Sequence, residues 1–243
     1  MTPEQRLADV FVALAGGTAD GPADIPTTLA VLVRSGSALL GAGAATAVFS
    51  ASEGETTHVA GSDPEVARLE RDAVALCEGP GHDCRSASGR RVRAVLDSGP
   101  ARQRWPHYAP RALRLGHRRV AALPLREPTR SCGALVLLSD DPRCVLSEES
   151  LVLGQSLADF ASAILRRARE ADRSRALTAQ LERALTSRVV VEQAKGILAV
   201  RWTVTVDEAF TRIRRHARAH QRPLHDVARE VVEGGAGADL TWE

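Results

Sequence analysis

Arg119-Val120-Ala121-Ala122-Leu123-Pro124-Leu125 and, a short way on, Cys132-Gly133-Ala134-Leu135-Val136-Leu137-Leu138 are two apolar runs separated by Glu127-Pro128-Thr129-Arg130. Short apolar runs on either side of a Pro-containing polar turn read as two paired strands. Working back toward the N-terminus, Arg91 to Leu96 reads as a further strand, and Ala44 to Ser50 with Thr56 to Ala60 reads as a hairpin about the turn Glu53-Gly54. Helical patterns lie between and before them: Glu4 to Ala15, Pro26 to Leu40, Ser62-Asp63-Pro64 through about Leu76, and Trp105 to Leu115. Pro near a helix start and Gly past its end mark several of these limits, as Pro26 and Glu78-Gly79-Pro80-Gly81 do. Helices, two strands, helix, strand, helix and two strands make an α+β plan: an antiparallel sheet flanked by helices over about the first 165 residues.

Toward the C-terminus the texture is helical. From Ser147-Glu148-Glu149 to about Arg201 there is no Pro, and the only glycines are Gly154 and Gly196. Leu153, Leu157, Phe160, Ile164, Ala168, Ala171, Leu177, Leu181, Leu185 and Val189 recur mostly three and four residues apart. A helix this long needs a partner along its apolar stripe. Two partners remain open: a second copy in a parallel dimer, or an intramolecular hairpin. Thr205-Val206-Asp207-Glu208 is a capping box that starts another helix, with Val206, Phe210, Ile213 and Ala217 as its buried stripe. Pro223 opens a last helix, closed by Gly234-Gly235.

Bulk properties narrow the function classes. The chain has 243 residues, 44% hydrophobic and 26% charged, with a net charge of +2, as for an ordinary globular protein of one large or two small domains. Neither a membrane span nor a signal peptide fits, and Cys77, Cys84, Cys132 and Cys144 have no metal-ligand spacing, so a reduced cytoplasmic protein without a metal is expected. Charge is uneven: Arg175 to Val232 carries eleven Arg and Lys against six Asp and Glu. That excess suits a polyanion. All but one of the thirty-two basic residues are arginine, and the exception is Lys195, in Val191-Glu192-Gln193-Ala194-Lys195-Gly196-Ile197-Leu198. A compact ammonium and a planar guanidinium are not interchangeable against phosphate. Gly196 removes a side chain beside that ammonium, and Arg201, Arg214, Arg215 and Arg218 fall on or near the outward faces of the terminal helices. Ala194, Ile197, Leu198, Phe210, Ile213, Leu224, Val227 and Val231 are the candidate shared core.

Val190-Val191-Glu192-Gln193-Ala194-Lys195-Gly196-Ile197-Leu198-Ala199, Val206-Asp207-Glu208-Ala209-Phe210, Ile213-Arg214-Arg215 and Pro223-Leu224-His225-Asp226-Val227-Ala228 together closely resemble the ANTAR domain, from about Ala176 to Val232. The resemblance implies a three-helix RNA-binding unit of a transcription antitermination regulator, a homodimer gripping paired stem-loops in nascent RNA. Carried over by position, it implies an RNA surface of Gln193, Ala194, Lys195, Gly196, Arg201, Arg214, Arg215 and Arg218. Loop RNA offers unstacked bases and closely spaced phosphates, which charge and shape can read. Where the family often has Gly between its first two helices, this chain has Trp202-Thr203-Val204; Trp202 can cover the core or stack on a base.

Glu78-Gly79-Pro80, Gly89-Arg90-Arg91-Val92, Trp105-Pro106, Ala122-Leu123-Pro124-Leu125 and Gly133-Ala134-Leu135 resemble the GAF domains that precede ANTAR units in actinobacterial proteins, over about residues 5 to 165. The expected organisation is a GAF-like sensor at 1–165, a helical linker at 166–175, the ANTAR-like unit at 176–233 and a tail at 234–243. GAF domains bind small molecules, haem or chromophores, or dimerise, and no residue here selects a cofactor. Phe49, Trp105 and Tyr108 are candidate pocket residues, while His82 with Cys84 is too sparse for a metal. No catalytic constellation is expected. Two other classes compete with the RNA reading: a DNA-binding factor using Asp207 to Val232 as a helix-turn-helix, and a thiol enzyme using Cys77, Cys84 and Cys132.

Overall fold

The structure, a computed structural model, describes residues 3–15, 24–50, 56–86, 90–140 and 147–234. The turns expected at Gly16 to Pro22 and Glu53-Gly54, Cys144 and all but the first residue of the tail lie outside these residues. The chain divides into two compact units, Met1–Ala171 and Asp172–Glu243.

The first unit opens with helices α1 (Pro3–Ala15) and α2 (Ile25–Leu40), followed by strands β1 (Ala44–Ser50) and β2 (Thr57–Gly61). Helices α3 (Pro64–Ala75) and α4 (Pro80–Ser86), strand β3 (Val92–Val95), helices α5 (Gly99–Arg104) and α6 (Tyr108–Arg114), and strands β4 (Arg119–Arg126) and β5 (Ser131–Ser139) follow. The sheet is antiparallel throughout, in the order β2-β1-β5-β4-β3. Pro124 is tolerated in β4 because β3 pairs only as far as Ala122, so Pro124 lies past the end of that neighbour.

Both faces of the sheet are covered. Ala45, Ala47, Phe49, Ala121, Leu123, Leu125, Leu135 and Leu137 point into a core shared with α1, α2 and Leu151, Leu157 and Leu165 of the helix that follows. Val120, Ala122, Ala134, Val136 and Leu138 point the other way, into a core closed by α3 to α6 with Leu69, Leu96, Trp105 and Tyr108. Burial on both faces is why β4 and β5 read as continuous apolar runs instead of alternating ones. A bulge at Leu125/Arg126 shifts the β4–β5 register and turns Cys132 into the first core, where its thiol donates to the Leu125 carbonyl. Gly133 sits beneath the Val48 backbone, which leaves no room for a Cβ.

Helix α7 runs Glu148–Trp202 without a break. Gly154 lets its start lie on the sheet, since a Cβ there would come within 2.7 Å of Leu123 and 2.9 Å of Leu40. Gln155 is buried and donates to the Pro124 carbonyl at 2.9 Å, and Ser162 donates to the Arg126 carbonyl at 2.6 Å. These bonds meet carbonyls that a sheet edge would leave unpaired.

The second unit holds the rest of α7, α8 (Val206–Ala219) and α9 (Leu224–Val232). Ala194, Leu198, Ala209, Ile213, Ala217, Val227, Ala228 and Val231 form its core, with Trp202, Val204 and Leu224 packed against it. Ile197 is 41% exposed and stands outside it, and Phe210 is only half-buried, so the candidate core is corrected at those two positions. The capping box is present: Thr205 accepts from the Glu208 N–H, and the Glu208 carboxylate accepts from the Thr205 N–H. Thr203 takes the left-handed conformation, φ 52°, that a glycine would adopt more readily. Trp202 closes over the core with the Arg212 guanidinium 5.4 Å above its ring.

Candidate nucleic-acid interface

Helix α8 buries Ala209, Ile213 and Ala217 and turns Arg214, Arg215 and Arg218 outward. Three- and four-residue spacing puts these arginines side by side. They line a groove of about 580 Å³ with Phe210, Thr211 and Ala219. None of the three has an ion-pair partner among the described residues. The contrast with the first unit is informative. There, Arg91 and Arg93 reach Glu148, Arg104 reaches Asp83, Arg111 reaches Asp72, and Arg126 reaches Asp159. The groove's cations are not balanced by protein carboxylates in this way.

Lys195 joins this groove through Phe210, with its ammonium 5.2 Å from the ring centroid. It is not the open cation that the sequence suggested. Its side chain is 13% exposed, and Nζ donates to both carboxylate oxygens of Glu192, at 3.0 and 2.9 Å. The i, i+3 spacing of Glu192 and Lys195 made that pair legible in the sequence. The ammonium is thus clamped between a carboxylate and an aromatic face. It orients Phe210, and a phosphate must compete with Glu192 for its protons.

The remaining predicted residues separate. Gln193 is exposed, and Arg201 is exposed in the last turn of α7 with no ion-pair partner among the described residues. Ala194 is fully buried in the three-helix core, so its side chain cannot touch RNA directly, which corrects its place in the predicted surface. Gly196 is exposed, and a Cβ built on it meets nothing within 4 Å. Packing within the chain does not require this glycine, although glycine inside a helix costs about 1 kcal/mol relative to alanine. Its bare backbone is available to something outside the chain.

The three candidate pocket aromatics are not brought together. Phe49 is in the core on one face of the sheet, Trp105 and Tyr108 are in the core on the other, and all three are at most 2% exposed. Phe49 points to one face of β1, while Trp105, at the C-cap of α5, and Tyr108, in α6, belong to the helical layer that covers the other face. Trp105 Nε1 donates to Asp83 at 2.8 Å. Beside Tyr108, Glu70 is a buried acid that the sequence reading passed over. It is 1% exposed, it accepts from the Thr46 hydroxyl at 3.0 Å, and burial lifts its carboxyl to about 7, against the opposing effects of Thr46 and the Arg85 charge. The Tyr108 hydroxyl is buried with no hydrogen-bond partner among the described residues.

Cys84 and Cys132 lie in opposite cores. Burial pushes the Cys84 thiol up to about 12 and also raises that of Cys132, which disfavours the thiolate that redox chemistry needs. No group of three or more His, Cys, Asp or Glu among the described residues could hold a metal ion. No helix of the described residues is long and apolar enough to cross a membrane.

The chain thus combines an α+β unit, an antiparallel sheet covered by helices on both faces, with a small helical unit that carries a basic groove. Residues 179–232 match the ANTAR domain family, whose members are units of RNA-binding antitermination regulators. The first unit is similar in fold to solved GAF domains, and with the C-terminal match this is consistent with a GAF-ANTAR architecture. A GAF domain from an Acinetobacter phosphoenolpyruvate-protein phosphotransferase is 12% identical, with a TM-score of 0.50, over 71% of this chain and 99% of that one. The GAF domain of the corresponding Coxiella burnetii protein is 15% identical, with a TM-score of 0.51, over 71% and 99%. The N-acylhomoserine lactone dependent LuxR family transcription factor CepR2 from Burkholderia cenocepacia is 16% identical, with a TM-score of 0.51, over 68% and 97%. At these identities the likeness is one of fold alone. No curated protein matches the chain.

Proposed function

We propose that this protein is a cytoplasmic, signal-responsive RNA-binding regulator that promotes transcription antitermination by holding paired stem-loops in nascent RNA. In this reading residues 1–165 are the sensor, 166–175 a helical linker, 176–233 the RNA-binding unit and 234–243 a tail. The observation that carries it is the groove of Arg214, Arg215 and Arg218, cations without protein partners among the described residues, floored by the Phe210 ring that Lys195 holds. Guanidinium groups supply charge and bidentate donors to phosphate, and the half-buried Phe210 ring gives the groove an apolar aromatic surface for a loop base. Gln193, Gly196 and Arg201 extend the surface on α7, and Ala194 supports it from within.

A homodimer places two such grooves together, one for each stem-loop. Leu177, Leu181, Leu185 and Val189 support this, since they are 51–68% exposed at four-residue spacing on one helix face. A small-molecule ligand of the sensor then acts by shifting the populations of two dimer arrangements. The chemistry proposed for the chain is recognition, not catalysis.

The test is a binding titration of the full chain against a pool of tandem RNA stem-loops with randomised loops, with duplex DNA of equal length as comparison. RNA binding should exceed DNA binding and fall at least tenfold in R214A/R215A/R218A, with the helical circular dichroism unchanged. K195A should weaken it, because it removes the ammonium held between Glu192 and the Phe210 ring. Preference for duplex DNA would overturn the proposal in favour of the helix-turn-helix reading.

A further inference from the structure

A second concave surface of the C-terminal unit lies between α7 and α9. Its volume is about 580 Å³, and it is lined by Arg183, Thr186 and Ser187 of α7 and by His225 and Arg229 of α9, with Glu182 also on its wall. It shares no lining residue with the α8 groove. Arg183 and Arg229 are both exposed, and neither has an ion-pair partner among the described residues. The arginine preceding Arg229 in sequence shows the alternative: Arg222 is paired with Glu230 through two hydrogen bonds. His225, also on the wall, is 3.2 Å from Asp226, and Arg183 and Arg229 are the two arginines of the lining.

We propose that this cleft is a second RNA-contact site, which takes the sugar-phosphate backbone at an unstacked loop nucleotide while the α8 groove holds another part of the same stem-loop. This rests on the RNA-binding reading above. Two forks facing across a cleft can each donate in bidentate fashion to phosphate oxygens, and the Thr186 and Ser187 hydroxyls can donate to phosphate or to a ribose 2′-OH. The volume is within the range of pockets that enclose small organic groups, about 300–1,000 Å³, so an extruded nucleotide fits where a duplex does not. Ala179 and Ala184 on the same wall keep it open and give a base apolar contact. Glu182 is the one carboxylate in the lining and opposes an anion there. It sets the sign of a diagnostic substitution.

The experiment measures affinity of the full chain for the randomised-loop tandem RNA across a salt series, with a fully paired RNA of the same length as comparison. R183A/R229A should weaken loop-RNA binding at least tenfold and reduce the slope of log affinity against log salt by about 1.4–1.8, at about 0.7–0.9 per phosphate contact. Binding to the paired RNA should change far less. E182Q should tighten loop-RNA binding two- to fivefold, an increase that loss of structure does not produce. If wild type binds the RNA and R214A/R215A/R218A weakens it, while R183A/R229A and E182Q leave affinity and salt slope unchanged, the cleft is not a contact site and the α8 reading stands alone. If wild type binds no structured RNA at low salt, both readings fall together.

Discussion

Glu70 is buried inside the first unit. Its carboxyl is enclosed by Thr46, Gly81 and the Tyr108 side of the core, and a Cβ at Gly81 would come within 2.5 Å of its oxygen. Its folded value near 7 lies above the ordinary 4.5, so between those values the native state holds a proton that the unfolded chain releases. Stability therefore falls as pH rises from about 4.5 to 7 and levels off above. E70Q should remove that slope, so urea unfolding at pH 5.5 and 8.0 should differ in wild type by on the order of 2 kcal/mol more than in the variant. An equal pH dependence in both would show that Glu70 is ionised in the native state. In the second unit, Thr203 is a β-branched residue at positive φ, which costs roughly 1–2 kcal/mol and is partly offset by the lower chain entropy of threonine relative to glycine. T203G should raise stability by up to about 1 kcal/mol in thermal unfolding; a loss would mean that the threonine side chain makes a contact that outweighs its backbone.

The two glycines of α7 give opposite predictions from one chemical change. G154A forces a methyl against Leu123 and Leu40 in a filled core, so overpacking should exceed the helix-propensity gain and the first unit should lose about 1 kcal/mol. G196A meets open space and should stabilise the helix by about 1 kcal/mol while weakening RNA binding, the signature of a residue kept for contact instead of folding. Stabilisation with unchanged binding would remove Gly196 from the interface. Elements of this kind differed in how legible they were. The paired strands, α7 and the capping box were plain, because apolar run length, absence of Pro and the Thr205/Glu208 pair are local signals. Helices α4 and α5 were not legible: Glu78-Gly79-Pro80-Gly81 reads as a helix stop, and residues 97–104 show no apolar period. The two helices span seven and six residues and bury few side chains, too few to show a period. Helix α6 has no local start signal: His107 makes no side-chain cap bond, and the Tyr108 and His107 N–H groups donate instead to Glu78, thirty residues earlier in the chain for Tyr108. In the candidate site, the arginines of α8 were legible from helical spacing. The burial of Ala194 and the carboxylate clamp on Lys195 emerged only when three helices shared one core. The α7–α9 cleft was not legible at all, since Arg183 and Arg229 are far apart in sequence.

Charge is distributed over the whole chain by pairing as much as by number: arginine–carboxylate pairs recur through the first unit, while several arginines of the second have no such partner among the described residues. The proposed dimer can be tested at this scale. L181E/L185E alters residues that are 60% and 68% exposed, so it should leave the folding of the monomer intact and halve the mass in sedimentation equilibrium. A wild type that sediments as a monomer at micromolar concentration would refute the seam. The sheet has a different problem to solve during folding. Where one face of a sheet meets water, a strand displaced by one residue exposes its apolar side chains and is rejected on polarity. Here both faces are apolar, so a displaced β5 would only exchange leucines and alanines between two cores, a weak proofreading signal. Gly133 supplies the missing one. Any shift that carries Cys132 or Ala134 beneath the Val48 carbonyl meets a backbone collision that no solvent or side-chain rearrangement relieves, so a single absent methyl group acts as the alignment key for the central strand pair.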